Sequence, residues 1–228
     1  MIDEAPKVVE QRPARTRYEA AHFVEAYDRL RYHGLGGRYN NWRLRRLLGK
    51  AVKALPAGAV VLDVPCGTGR IDNWLLRASL RVIAADTSAA MLAVARRNVR
   101  PTPFSAGFLN ADAGRLPLRS RSVEAVFSVR LLHLIDRPTR LAVLSEMARV
   151  TRQWVVVEYR TIEKRVKTAK RVVIQRLTGR PRPRKKMALA DVAHELSLCG
   201  LVAERYYFPS RWFSGSVVVM ARRRHTTG

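Results

Sequence analysis

Two cysteines in 228 residues are too few for a disulfide framework. Cys66 stands in a glycine turn and Cys199 near a helix end. Neither has a spacing that holds a metal, so a reducing compartment and no metal site are expected. No apolar run approaches the roughly 20 residues that span a bilayer. Residues 1–13 are polar, mixed in charge and lack the apolar stretch of a secretory signal, which points to the cytoplasm. Acidic residues are scarce: 18 Asp and Glu stand against 43 Lys and Arg, a formal net charge of +25. Such an excess has two readings, a compositional bias spread over solvated faces or a polyanionic partner. The second admits nucleic acid or the anionic inner face of a membrane, on which the protein would be peripheral. A hydrophobic content of 47% at this length suits one globular domain with a sizeable core.

What is present has a clear rhythm. Residues 1–14 read as disordered and 15–56 as a helical lid or cap. Within that cap, Arg17–Tyr32 can place Phe23, Ala26, Tyr27 and Leu30 on one helical face. His33–Gly37 breaks the pattern, and Asn40 or Asn41 is expected to cap a second helix through Leu44, Leu47, Leu48 and Val52. From 57 to 228 strands and helices alternate. Strands are expected at 59–64, 81–85, 104–109, 123–129 and 154–158, with helices at 70–78, 89–98 and 137–150 between them. A helix at 188–199 and strands near 201–208 and 215–221 close the chain, the last two near enough to pair antiparallel. The expected fold is α/β: a Rossmann-like, doubly wound, seven-stranded, mostly parallel sheet with an antiparallel C-terminal pair and helices on both faces.

The most informative stretch is Val60 to Arg70, an apolar run that ends in Asp63 and turns through Gly67 and Gly69 into a helix. Glycine is needed where a Cβ would block the turn or a ligand's approach to backbone N–H groups. Asp72 stands where a dinucleotide-binding Gly-x-Gly-x-x-Gly would have its third glycine, which points away from a pyrophosphate and toward an adenosine-bearing ligand without phosphates. Three acids fall in order at strand ends, Asp63, Asp86 and Asp112, where open α/β sheets bind their ligands. Asp86 lies about 20 residues past the turn, the position from which a carboxylate accepts both ribose hydroxyls.

These residues resemble the class I S-adenosylmethionine-dependent methyltransferases, from about Val60 to Val157. The resemblance rests on Val61–Arg70, Ala84-Ala85-Asp86-Thr87-Ser88 with Met91-Leu92, Asn110–Leu118 and Ala125–His133. It implies S-adenosylmethionine as cofactor and a binding set of Asp63, Gly67, Thr68, Gly69, Asp86, Thr87, Met91, Asp112, Ala113 and Val129. Gly67 and Gly69 would pack against the methionyl part, with Asp63 holding its ammonium directly or through water. Asp86 would take the ribose hydroxyls, Met91 would lie near the adenine, and Asp112 with the Ala113 N–H would read the adenine edge. Val129 and Arg130 would flank the methyl donor.

Methyl transfer asks mainly for alignment, plus removal of a proton where the acceptor carries one. On the acceptor rim, His133 and Tyr159 are the catalytic candidates, with Glu158 beside them. Against each stands a packing role, and the same holds for Tyr27 in the cap, where Tyr32, His33 and Tyr39 also lie. No Asn/Asp-Pro-Pro-Tyr motif follows the fourth strand, which argues against base methylation. A basic insertion at 160–186 combines a helical stripe (Ile162, Val166, Ala169, Val173, Leu177) with the run Arg180–Lys186. Membrane contact, RNA contact and a lid with merely solvated charges all fit it. The expected function is methylation at O or N of a small-molecule, lipid or envelope-glycan precursor. An RNA methyltransferase and an inactive scaffold in a polyanionic assembly are the alternatives. The oligomeric state is not legible.

Overall fold

Runs such as Val60-Val61-Leu62, Ala125-Val126-Phe127 and Trp154–Val157 are apolar, rich in β-branched and aromatic residues and unbroken by polar ones, the signature of strands covered on both faces. They form the middle of one seven-stranded sheet. The computed structural model describes residues 34–100, 102–161, 187–209 and 216–224. The elements are α1 (Leu35–Val52), β1 (Val60–Asp63), α2 (Asp72–Arg77), β2 (Arg81–Asp86), α3 (Ala89–Asn98), β3 (Ser105–Asn110) and β4 (Val123–Ser128). They continue as α4 (Arg137–Val150), β5 (Thr151–Tyr159), α5 (Leu189–Leu198), β6 (Leu201–Tyr207) and β7 (Val217–Arg223). The disorder expected at 1–14, the helix expected at 17–32 with Tyr27 and Tyr32, His33 after it, and the basic helix and polybasic run expected within 162–186 all fall outside the described residues.

The strand order is β3-β2-β1-β4-β5-β7-β6. β1 pairs in parallel with both β2 and β4, with Leu62 opposite Ile83 on one side and Val126 on the other. The last three strands run β5-β7-β6 with antiparallel pairing, as expected. After β1 the chain winds outward through β2 and β3, then returns to β4 on the other side of β1. Right-handed crossovers then put α2 and α3 on one face and α4 on the other. The packing agrees. Leu47 and Leu48 of α1 and Leu75 and Leu76 of α2 share one core with Val61, Ala125 and Val156. Val143, Leu144 and Met147 of α4 and Val192 and Leu196 of α5 share the other with Leu62, Val126 and Val155. The reversal between β1 and β4 opens a crevice at their carboxyl ends, where ligands of such sheets bind.

Several element boundaries differ from the sequence reading. Gly34 in extended conformation is the N-cap of α1, so the glycines at 36 and 37 lie inside the helix and Asn40 and Asn41 do not cap it. The helix is held by its buried stripe of Leu44, Leu47, Leu48 and Ala51, and that burial outweighs the low helix propensity of glycine. α2 begins two residues later than expected, because Gly67–Ile71 is occupied by turns. β5 starts at Thr151, directly after α4, and runs through Tyr159.

Two polar clamps tie α4 to its surroundings. Glu146 accepts from Leu116 N at 2.7 Å and from Arg149, whose guanidinium donates onward to the carbonyls of Leu116 and Leu118. This fixes the loop after β3. Arg140 donates to both oxygens of Glu195 at 3.0 and 2.7 Å and to the Ile135 carbonyl, joining α4 to α5. Glu195 is only 2% exposed, so a partner is obligatory for it. Replacing that partner (Arg140→Ala) is expected to cost about 3 kcal/mol. The midpoint of thermal unfolding should then fall by roughly 6–12 °C; a midpoint within 2 °C of wild type would contradict this role for the pair.

Candidate active site

The turn after β1 is built on backbone bonds and one carboxylate. Val64 N donates to Phe127 O and Cys66 N to Ala85 O, so the segment leaving β1 bridges its two neighbouring strands. Gly67 (φ +57°) then aims its N–H at Asp86 Oδ2, 2.9 Å away. The other oxygen of Asp86 accepts from Ser88 N at 2.9 Å, and Ser88 caps α3 by accepting from Met91 N. Asp86 at the end of β2 thus locks the glycine turn to the start of α3. Asn110 donates to the carbonyls of Asp86 and Thr87, and Ala111 N donates to Asp86 O, which ties in the end of β3.

A cavity of about 340 Å³ opens above this arrangement. Of the expected binding set, Gly67, Thr68, Asp86, Thr87, Met91, Asp112, Ala113 and Val129 line it. Gly69 and Asp63 do not. Gly69 (φ +81°) faces α3 instead: a Cβ there would come within 2.6 Å of Val99 Cγ2 and 3.3 Å of the Ala95 backbone. That glycine serves helix packing, not ligand approach. Asp63 lies behind the lining, 1% exposed. Asp112 is at the surface and accepts from Gly114 N at 2.8 Å, so its loop is fixed before any ligand arrives. Arg130 also lines the cavity, with φ +64°, a conformation uncommon away from glycine.

Electrostatics beneath the turn are unusual. Asp63, Asp72 and Asp86 are 1%, 1% and 7% exposed. Apart from each other, Asp63 and Asp72 have no hydrogen-bond partner among the described residues. Burial, the Asp72 charge and a proton bridge to Asp72 hold the Asp63 carboxyl well above the usual carboxylate range. Burial, partly offset by that bridge, pushes Asp72 up to about 7. Burial also raises Asp86, against the N–H groups of Ser88 and Gly67 that favour its charged form. The neighbouring Cys66 thiol is pushed up by burial and by these acids, so it stays protonated. Asp72, seen in the sequence only as a missing glycine, is therefore one half of a buried acid pair. Its position in the first turn of α2 was the available signal.

A second cavity, of about 590 Å³, lies beside the first, and Ile135 borders both. His133 and Tyr159 line this one, with Arg140, His194 and Glu195. The structure thus brings the two catalytic candidates together, but outside the cavity that holds the cofactor-type residues. Burial and the nearby Glu195 charge keep the Tyr159 phenol protonated at neutral pH. Glu158 points to the opposite face of β5, where burial raises its carboxyl against Arg130, Arg160 and Arg43. The sequence reading expected a cap from 15–56 but did not single out as site residues Asn41 and Leu44 of α1, which line the first cavity three residues apart.

The donor set fits a phosphate-free, cation-bearing adenosyl ligand. It offers the Asp86 carboxylate in the lining, an apolar slot at Met91, Val129 and Leu131, and uncompensated buried acid below. Residues 61–153, less than half of the chain, match the family described as methyltransferase domain. The demethylmenaquinone methyltransferase of Renibacterium salmoninarum is 39% identical over 116 residues, which are 51% of this chain and 45% of that protein. The mouse tRNA (carboxymethyluridine(34)-5-O)-methyltransferase ALKBH8 is 29% identical over 149 residues, 64% of this chain and 21% of that protein. The chain spans less than half the length of either relative. The fold is shared with magnesium protoporphyrin IX methyltransferase from Synechocystis PCC 6803 with bound SAH, at a TM-score of 0.67, 19% identity and coverage of 92% and 97% of the two chains. Residues 61–153 are a methyltransferase domain of the class I, S-adenosylmethionine-dependent family.

The acid pair makes stability depend on pH. Folded Asp72 holds its proton up to about pH 7, whereas unfolded aspartate ionises at about 3.9. Between those values the folded state binds more protons, so stability is full at the acid end and is lost as pH rises through about 7. The ligand-free protein should melt roughly 4–8 °C lower at pH 7.5 than at pH 5.5. Asp72→Asn should remove most of that difference; an equal drop in the variant would rule out this origin.

Proposed function

We propose that the protein transfers the methyl group of S-adenosylmethionine to an oxygen or nitrogen of a small-molecule, lipid or envelope-glycan precursor. The single observation that carries the cofactor half is Asp86, a carboxylate that closes the glycine turn at the end of β2 and lines the cavity. Asp86 would hold the ribose hydroxyls, Met91 and Val129 would border the adenine slot, and the Ala113 N–H with Asp112 would meet its edge. Asp63 and Asp72, one layer down, would balance the ligand's ammonium. When bound, the cofactor supplies a methyl group on a positively charged sulfur.

The acceptor half rests on the second cavity, which supports a substrate lying next to the cofactor site across Ile135. A phenol that stays protonated is a hydrogen-bond donor, so Tyr159 would orient the acceptor and not deprotonate it. His133 is then the candidate base, since an imidazole changes charge near neutral pH. The demethylmenaquinone methyltransferase relative supports a small-molecule or lipid-type acceptor. The tRNA methyltransferase relative supports RNA as a second reading.

Calorimetric titration with S-adenosylhomocysteine tests the cofactor half. Wild type should bind, and Asp86→Ala should weaken binding by roughly 10- to 100-fold. Failure of wild type to bind, or equal binding by the variant, would remove the basis for this function.

A further inference from the structure

The polar face of α1 is an unusual surface. Tyr39, Trp42, Arg46, Lys50 and Lys53 follow one another at spacings of three and four residues, a single stripe about 20 Å long that runs just past the helix end. All five are exposed, Tyr39 at 58% and Trp42 at 55%, both large for aromatic side chains. The helix carries Arg38, Arg43, Arg45, Arg46 and Lys50 and no acid. Its apolar stripe of Leu44, Leu47, Leu48 and Ala51 is already buried against the sheet. The aromatic residues therefore do not belong to the core.

We propose that this stripe docks the protein on an anionic lipid surface, with Tyr39 and Trp42 at headgroup level and Arg46, Lys50 and Lys53 against lipid phosphates. Tyrosine and tryptophan, with an apolar body and a polar tip, settle at such interfaces, and basic side chains add electrostatic attraction. The arrangement within the stripe decides between lipid and nucleic acid. Trp42 stacks on Tyr39 at 5.9 Å and 30°, and the Arg46 guanidinium lies 5.7 Å from its centroid. Residues three before and four after lie on opposite sides of Trp42 along the axis. Trp42 is thus already engaged by an aromatic and a cationic neighbour of its own helix. Base stacking needs a free face, whereas insertion between headgroups does not. Because Asn41 and Leu44 of the same helix line the first cavity, a lipid-facing α1 sets that cavity close to the membrane surface. The inference rests on α1 and is independent of which acceptor is methylated.

Vesicle flotation tests it with the full chain. Wild type should partition onto vesicles of phosphatidylcholine with phosphatidylglycerol, lose that binding as salt is raised, and not bind phosphatidylcholine alone. Arg46→Gln with Lys50→Gln should lower the partition constant by roughly 30-fold. Tyr39→Ala with Trp42→Ala should lower it by roughly tenfold. Unchanged cooperative thermal melting shows each variant folded, whatever the outcome with S-adenosylhomocysteine. Absence of wild-type binding, variants that bind like wild type, or a single-stranded RNA that binds more tightly than the vesicles and is weakened by Trp42→Ala would each overturn the proposal.

Discussion

Three carboxyl groups buried under one turn set the terms for the rest of the site. Burial raises the Asp86 carboxyl, but backbone N–H groups of Gly67, Thr87 and Ser88 favour its charged form, whereas Asp63 and Asp72 have no described partner but each other and must share a proton or meet a cation. A buried carboxylate without a counter-charge is strongly disfavoured, so the fold tolerates this pair only by keeping it partly protonated. The same feature that strains the ligand-free protein prepares it for a positive ligand group. A phosphate would meet the wrong sign of charge here, which gives physical content to the missing third glycine.

Topology puts those acids together. Asp63 and Asp86 end adjacent parallel strands, and the reversal between β1 and β4 leaves the space above them open. The clamps from α4 hold the rim. Glu146 and Arg149 fix the loop that carries Asp112 and Ala113, while Arg140 and Glu195 fix the wall of the second cavity. Two positions with positive φ, Gly67 and Arg130, line the cavity.

Much of this was legible in the sequence, for identifiable reasons. Apolar runs with glycine turns between them specify parallel strands, and the order of acids behind the turn specifies an adenosyl-type site. What was not legible depends on distances across the fold. Gly69 and Gly67 look alike in sequence, yet only Gly67 faces the cavity, because Val99 and Ala95 of α3 come up against the other. Glu158 and Tyr159 are neighbours in the chain but point to opposite faces of β5. The start of α1 at Gly34 ran against helix propensity, since burial of its leucines decides the matter. Asp72 read as an absence and is an acid pair's second half.

The direct test of the paired acids is a count of protons. S-adenosylhomocysteine should be titrated into the protein at about pH 7 in buffers of different ionisation enthalpy. If the Asp63–Asp72 pair gives up its shared proton when the ligand's ammonium arrives, binding releases a substantial fraction of a proton, and Asp72→Asn abolishes the release while still binding. Binding with no proton release, or the same release from the variant, would contradict the account.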